Sequence, residues 1–301
     1  MTSATWTALA FVLYLAAAVC FGAVLFLRSP AAPHRPHPPA PSSSQGEGEP
    51  EEGAYTLTEG ISRLGLLLLL GGILVHFAAI GAWCVTTHRS PFASEFGTFS
   101  VLAWAIALAY AIFDFRARLP AVGAVALSVA CIILFWGVAH ARGPIEDNPV
   151  LKSQLVSMHV LAILASFGLL ALAFGCAALY LLQHRLLKSH RVGGLFRRLP
   201  SLQTLDTVAY HSVAYALPLL TLGLLLGLVE VFSGRLSSPP SAWLRDAHTI
   251  ASGVTWLLYV FYLAARLGAG WRGVRLQYIL LAGLFVALAL YAVPTSTHRF
   301  H

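Results

Sequence analysis

Long apolar runs separated by short polar loops recur along almost the whole chain. Each run can cross about 30 Å of hydrocarbon as a helix, whereas a lone strand would leave its backbone groups without partners in lipid. The pattern therefore predicts an all-α, polytopic membrane protein, a helical bundle of about eight transmembrane helices. The predicted spans cover residues 5–27, 61–83, 97–114, 121–140, 154–182, 207–232, 247–267 and 277–294.

The composition supports this fold class. The chain is 58% hydrophobic and only 10% charged, whereas a soluble domain is about 25% charged. The net charge of +7 comes from basic residues in short loops between spans. Such placement is typical of the positive-inside bias and not of a nucleic-acid surface. We therefore expect membrane lipid around the protein and no nucleic-acid partner.

The basic loops also predict the orientation. Residues 185–198 and 266–275 are strongly basic, and residues 114–118 fall on the same side if the spans alternate. These loops are expected in the cytoplasm. The sequence thus predicts a multi-pass protein of the bacterial inner (cytoplasmic) membrane with its N-terminus outside.

The N-terminal part divides into a helix and a linker. Residues 1–28 lack a basic start and have an apolar core too long for a cleaved signal peptide, so we favour a retained first transmembrane helix. Residues 29–60 are rich in Pro, Ser and Glu and predict a disordered cytoplasmic linker. Residues 61–301 then form one membrane domain of about seven helices.

Cysteine usage argues against thiol redox chemistry. The four cysteines lie in or beside different apolar runs, and none forms a CxxC pair. Disulfide exchange requires two neighbouring thiols and a lowered pKa. The cysteines are Cys20, Cys84, Cys131 and Cys176.

Three of the 12 histidines are candidates for a site. His159 lies about one and a half turns inside the outer boundary of its helix. It is either hydrogen-bonded to a neighbouring helix or an axial ligand of a metal or haem. His298 follows the last span and reaches the same face, as a solvated tail residue or as a second ligand. His76 lies within hydrocarbon, where its ring requires a partner, either another helix or a functional group.

The segment SAWLRDAHTIASGVTW, Ser241–Trp256, places charge next to an apolar run. Asp246 is a candidate N-cap of the next helix, and Trp243 is a candidate for the aromatic belt at the interface. An aromatic platform with two imidazoles would suit a flat iron macrocycle, and Arg245 or Arg299 could pair with a propionate. Four residues are predicted at one depth on one face: Trp243, Asp246, His159 and His298.

Two stretches carry a family resemblance. Trp243 and Asp246 stand three apart, as in the motif W-x-W-D-P-K-E, and TWLLYVFYLAARLGAGWRG follows. The preceding span, LDTVAYHSVAYALPLLTLGLLLG, matches a second pattern, L-D-x-x-x-Y-R…G-F-P-L-L-T-x-G-x-x-x-G. Through these motifs the chain resembles the cytochrome c assembly family of membrane proteins, in its CcsA and HemX-like branch. The matching residues include Asp206, Tyr210, Thr221, Gly223, Gly227, Trp256, Tyr259, Tyr262 and Arg266.

The resemblance implies a haem-handling protein of cytochrome c biogenesis, with b-type haem bound transiently at the outer face. His159 and His298 are placed like the family histidines before and after the tryptophan motif, which implies iron ligation. The implied partners are a ResB-like subunit, which would keep cysteines reduced, and apocytochrome c. Such a protein is more a haem-binding assembly factor than a self-sufficient enzyme. The other implied haem contacts are Trp243, Asp246, His76 and Trp256.

Several positions depart from the family pattern. Arg245 replaces the second tryptophan, and Ala264 replaces an intramembrane histidine of the second half. The Pro-Lys-Glu of the motif is replaced by Ala247, His248 and Thr249. These changes favour a HemX-like or divergent member, and His248, close to Asp246, is a candidate for partial compensation.

Two other functions remain open. A HemX-like regulator or scaffold would act on glutamyl-tRNA reductase without catalysis of its own, which would give weight to the basic loop Arg185–Arg198. A small-molecule transporter has less support, because the sequence contains no inverted repeat and no pair of broken helices.

Overall fold

The computed structural model describes residues 3–27, 49–139, 153–190, 195–233 and 239–291. Within these ranges every regular element is helical, and a short 3-10 turn, Pro91–Ala93, precedes the third helix. The helices in chain order are α1 Ser3–Leu27, α2 Glu49–Thr87, α3 Glu95–Ala117, α4 Pro120–Ala139, α5 Gln154–Lys188, α6 Leu195–Arg198, α7 Leu202–Phe232, α8 Pro240–Leu244, α9 Ala247–Leu267 and α10 Val274–Tyr291.

The membrane-spanning character of the bundle is confirmed. Among the described residues, 7 helices are long and apolar enough to cross a membrane, namely α1, α2 from Leu57 onward, α3, α4, α5, α7 and α9. The helix α10 contributes a shorter apolar segment, Val274–Val286. These helices correspond one to one with the predicted spans, and the chain is a polytopic helical membrane protein.

Several helices extend beyond the predicted spans. The helix α2 begins at Glu49, so residues 49–60, expected to belong to a linker, are helical. The helix α5 continues to Lys188 and α7 begins at Leu202. An apolar run marks only the part of a helix that needs hydrocarbon, whereas backbone hydrogen bonds continue into polar sequence. The rest of the linker, residues 29–48, lies outside the described residues, and the domain boundary at residue 61 stays a prediction.

The helices pack through small residues and buried tyrosines. Helix α1 packs against α2 and α4, α3 against α4 and α5, α5 against α7 and α10, and α9 against α7 and α10. Tyr14, Tyr110 and Tyr259 are almost completely buried. A Cβ on Gly168 would lie only 2.8 Å from the carbonyl carbon of Ala105, so this glycine allows α3 and α5 to approach closely.

A buried ion pair joins three helices at one end of the bundle. The Arg266 guanidinium donates from Nη1 and Nη2 to the two carboxylate oxygens of Asp206, at 3.0 and 2.8 Å. Gln277 Nε2 also donates to Asp206 Oδ1 at 2.8 Å, and the guanidinium lies 4.5 Å from the centre of the Tyr210 ring. Gly227 lies about 30 Å farther along α7, at about 1.5 Å per residue. The candidate site around Gly227 is therefore at the opposite end of the bundle.

Candidate functional site

The orientation of His159 is fixed by a backbone carbonyl. The residue lies on α5, and its Nδ1 is 2.7 Å from the carbonyl oxygen of Gly223 on α7. Because a carbonyl oxygen can only accept a hydrogen bond, Nδ1 carries the proton, and a neutral ring then keeps its lone pair on Nε2. A hydrogen bond from one ring nitrogen to a carbonyl also orients histidines that bind a metal through their other nitrogen. Both interpretations of His159 left open by the sequence are thus compatible, since the interhelical bond uses only one nitrogen.

Two glycines on α7 make room for this arrangement. A Cβ on Gly227 would lie 2.8 Å from Cε1 and 2.9 Å from Nδ1 of His159. A Cβ on Gly223 would lie 2.6 Å from Cδ1 of Ile163 on α5. Residues four apart share one face of a helix. The two glycines therefore form a shallow surface against which α5 and its imidazole pack.

His159 borders a cavity of about 310 Å³ between α5, α7, α8 and α9. This volume is at the small end of the range for ligand pockets, about 300–1,000 Å³. Aliphatic side chains dominate its wall, and a few polar groups interrupt them. The lining residues are Val156, His159, Val160, Leu224, Gly227, Leu228, Glu230, Val231, Trp243, Leu244, His248, Thr249, Ser252 and Gly253.

Trp243 and Asp246 form the corner between α8 and α9. Trp243 is buried and lines the cavity. The Asp246 amide donates to the Trp243 carbonyl at 3.1 Å, and Asp246 Oδ1 accepts from the His248 amide at 2.9 Å. Asp246 is therefore the N-cap of α9, as one interpretation of the sequence predicts. The three-residue spacing of the tryptophan and the aspartate corresponds to the turn that closes this corner.

Trp256 joins two helices beside the site. Its Nε1 donates to Thr221 Oγ1 at 2.8 Å, which links α9 to α7. The cavity wall, as far as the structure describes it, does not include Trp256. A direct contact between Trp256 and a cofactor stays a prediction.

His76 lies in a different part of the bundle. Its Nδ1 is 3.3 Å from the Tyr14 hydroxyl on α1, and its Nε2 is 2.7 Å from Ser100 Oγ on α3. The side chain is completely buried. The structure does not bring His76 to the cavity wall that contains His159 and Trp243. Its bonds agree with the interpretation as a hydrogen bond between helices, and its role as a cofactor contact stays a prediction.

The second predicted iron ligand, His298, lies outside the described residues. His301, the other histidine of the C-terminal tail, and the candidate propionate partner Arg299 also lie outside them. Their place relative to the cavity stays a prediction.

Glu230 is a residue of the site that the sequence reasoning missed. It is buried and lines the cavity from α7. A usable signal was present, because Glu230 is the only acidic residue in the predicted span 207–232. It also follows Gly227 by three positions, on the same helix face. An ionisable residue inside a transmembrane span is by default a candidate functional residue.

The comparisons with known proteins agree with the motifs. Residues 93–300 match the family described as cytochrome C assembly protein. The chain belongs to the cytochrome c assembly protein family. The matched range contains His159, Trp243, Asp246 and His298, whereas His76 precedes it.

Individual members of the cytochrome c assembly family are distant from this chain. The cytochrome c biogenesis protein CcsA of Guillardia theta is 24% identical over 231 residues, which are 70% of this chain and 75% of that protein. CcsA of Prochlorococcus marinus subsp. pastoris is 25% identical over 249 residues, 75% of this chain and 78% of that protein. Protein HemX of Brevibacillus brevis is 30% identical over 175 residues, 58% of this chain and 62% of that protein. The resemblance to both CcsA and HemX is thus confirmed.

Proposed function

We propose that this protein handles haem in cytochrome c biogenesis, binding or presenting it at the outer face of the membrane for attachment to apocytochrome c. The observation that carries the proposal is the orientation of His159. Its Nδ1 is held by the Gly223 carbonyl at the wall of a cavity that also contains Trp243. A neutral imidazole held in this way would be a suitable ligand for haem iron.

The residues present fit a haem better than a bare metal ion. Among the residues that the structure describes, no three His, Cys, Asp or Glu side chains form a metal-binding group. Haem iron already has four porphyrin nitrogens and needs only one or two protein ligands. Gly227 leaves the space that a larger side chain would take from the imidazole. Aliphatic walls and a buried indole suit the apolar faces of a macrocycle.

Each residue of the site would have a simple task. His159 would bind the iron through Nε2, and Trp243 would give the aromatic platform. Asp246 would hold the corner of the platform through its cap on α9. His298 is predicted as a second ligand. Haem, when bound, supplies the vinyl groups to which reduced cysteine thiols of an apocytochrome add, so the protein contributes binding and orientation.

The proposal includes a partner, because this chain lacks a thiol pair. Its four cysteines are free, and Cys131 and Cys176 are buried in the bundle. A ResB-like subunit, as the family resemblance implies, would keep the apocytochrome cysteines reduced. The relatives named CcsA act in cytochrome c biogenesis by their names, which supports the same assignment.

The cavity would face outward in the bacterial inner membrane. It lies at the C-terminal end of α7 and the N-terminal end of α9. The basic loop at residues 266–275 follows the other end of α9 and is predicted in the cytoplasm. The N-terminus would then be outside, and lipid would surround the bundle.

The optical spectrum of the purified protein tests this function. We expect protein from haem-replete membranes to show a Soret band and, after reduction, an α band. His159→Ala should weaken both bands, and added imidazole should restore them. His211→Ala is the matched control, because His211 lies near the other end of α7 and binds its own helix at the Thr207 carbonyl. A colourless wild-type protein, or normal c-type cytochromes in cells that lack it, would contradict the proposal.

A second candidate is a HemX-like regulator or scaffold that acts on glutamyl-tRNA reductase without catalysis. The observation in its favour is the similarity to HemX, which reaches 31% identity over 167 residues in Bacillus subtilis (strain 168). A deletion strain separates the two functions. Changed reductase levels with normal c-type cytochromes would support the regulator, and the reverse result would support haem handling.

A further inference from the structure

A second imidazole lines the same cavity as His159. His248 lies in the first turn of α9 and is part of the cavity wall, together with Thr249 and Ser252 of the same helix. The His248 side chain is 23% exposed, so it can contact a molecule in the cavity. The position corresponds to no histidine of the family motif, because His248 stands where the motif has lysine.

The two imidazoles reach the cavity from different helices. His159 comes from α5 and His248 from α9, and both helices pack against α7. Gly227 on α7 lines the same cavity, and the absence of its side chain leaves room for the His159 ring. Two nitrogen ligands from separate helices, bordering one space, are what a six-coordinate haem requires.

Asp246 gives His248 a defined orientation. Its Oδ1 accepts a hydrogen bond from the His248 amide at 2.9 Å and lies 3.6 Å from Nδ1 of the His248 ring. Because the carboxylate lies beside Nδ1, iron ligation by this ring would use the other nitrogen, Nε2. The same carboxylate caps α9, so the backbone that holds His248 is fixed as well.

We propose that His248 would supply the second iron-ligating imidazole at this site, in addition to His159. The inference rests on the proposed haem-handling function and replaces its predicted second ligand, His298, by a residue of the cavity wall. In this chain, the iron would be bound by α5 and α9 in place of α5 and the C-terminal tail. The altered tryptophan motif would thus provide a ligand of its own.

Spectroscopy of the full-length haem-loaded protein in detergent distinguishes the two ligands. We expect the wild type to give a low-spin, six-coordinate spectrum in absorption and electron paramagnetic resonance. His248→Ala should convert most of the bound haem to high spin, and added imidazole should reverse the change. The double variant His298→Ala/His301→Ala should keep the low-spin spectrum. Ile250→Ala is the matched control, because Ile250 lies in the same turn of α9, is 52% exposed and does not line the cavity.

His248→Met keeps the result interpretable if the alanine variant does not fold. A thioether ligand should preserve six-coordination and raise the reduction potential of the haem. A low-spin spectrum and potential that are unchanged in His248→Met would overturn the inference, as would loss of the low-spin signal only in the tail variant.

The outcomes also separate this inference from the function on which it rests. A coloured wild-type protein whose spectrum depends on His159 but not on His248 leaves the haem-handling function standing and overturns the assignment of His248. A colourless wild-type protein overturns both.

Discussion

His76 and His159 both lie within apolar helices, and the partners of their ring nitrogens differ. Both nitrogens of His76 are near side-chain hydroxyls, those of Tyr14 and Ser100 on two other helices. His159 uses one nitrogen on the Gly223 carbonyl and borders a cavity. The two histidines therefore differ in the ring nitrogens that their hydrogen bonds leave for other chemistry.

The difference shows how a bundle separates structural from reactive imidazoles. Around His76, three helices converge and leave no exposed surface on the ring. Around His159, the missing side chains of Gly223 and Gly227 bring α5 close to α7, and a cavity that Trp243 also lines borders the ring. Packing around His76 gives both ring nitrogens a hydrogen-bond partner, whereas packing around His159 leaves Nε2 with its lone pair.

The largest expected effect concerns ligand loss at the cavity. His159→Ala should lower haem affinity at least about 100-fold, because removal of a second-shell partner alone costs about 10–100-fold. Haem titration of the apoprotein, followed at the Soret band, measures this change. His76→Ala in the same titration should bind as the wild type does, and equal losses in both variants would erase the distinction between the two histidines.

The second-largest expected effect concerns the space beside the His159 ring. Gly227→Val should displace the imidazole and lower haem affinity about 10–100-fold, the range found for lost ligand orientation. The physical reason is the 2.8 Å approach of a Cβ at this position to His159 Cε1. Gly81→Val on α2 is the control, because a Cβ there meets nothing within 4 Å. Unchanged affinity in Gly227→Val would mean that the ring is not held against α7.

The third effect concerns stability near His76. His76→Ala should lower the free energy of unfolding by about 1 kcal/mol, since two interhelical hydrogen bonds of about 0.6 kcal/mol each are lost. Reversible unfolding in mixed micelles measures it. Leu74→Ala is the control because Leu74 is 69% exposed on the same helix. If His76→Ala left stability unchanged but removed haem, His76 would belong with the cofactor contacts.

The smallest expected effect concerns one hydrogen bond of His76, the one to Ser100. Ser100→Ala should cost about 0.6 kcal/mol, the average measured for interhelical side-chain hydrogen bonds in a membrane protein. A double-mutant cycle with His76→Ala should give a coupling energy of the same size. Coupling near zero would indicate that the 2.7 Å contact does not contribute to stability.

Some features of the site were readable in the sequence, and others were not. Trp243 and Asp246 were identified by their spacing because a turn and a cap use local residues. Glu230 was overlooked although its charge stood out in an apolar run. The gathering of His159, Gly227 and His248 could not be deduced, because these residues lie on different helices and the sequence does not state which faces meet. The bond from the Trp256 indole to Thr221 on α7 could not be deduced for the same reason, and its contact with a cofactor stays a prediction.

The sequence by itself determined the membrane-spanning helices and the family motifs, because an apolar run of about 20 residues requires hydrocarbon whatever its neighbours are. It also determined the N-cap of α9, because the Asp246 carboxylate accepts a hydrogen bond from the amide of His248, only two residues later. Only the tertiary structure decided which nitrogen of His159 is occupied and that His248 borders the same cavity. Those facts depend on helix packing, where the absence of one Cβ at Gly227 sets the distance between two helices.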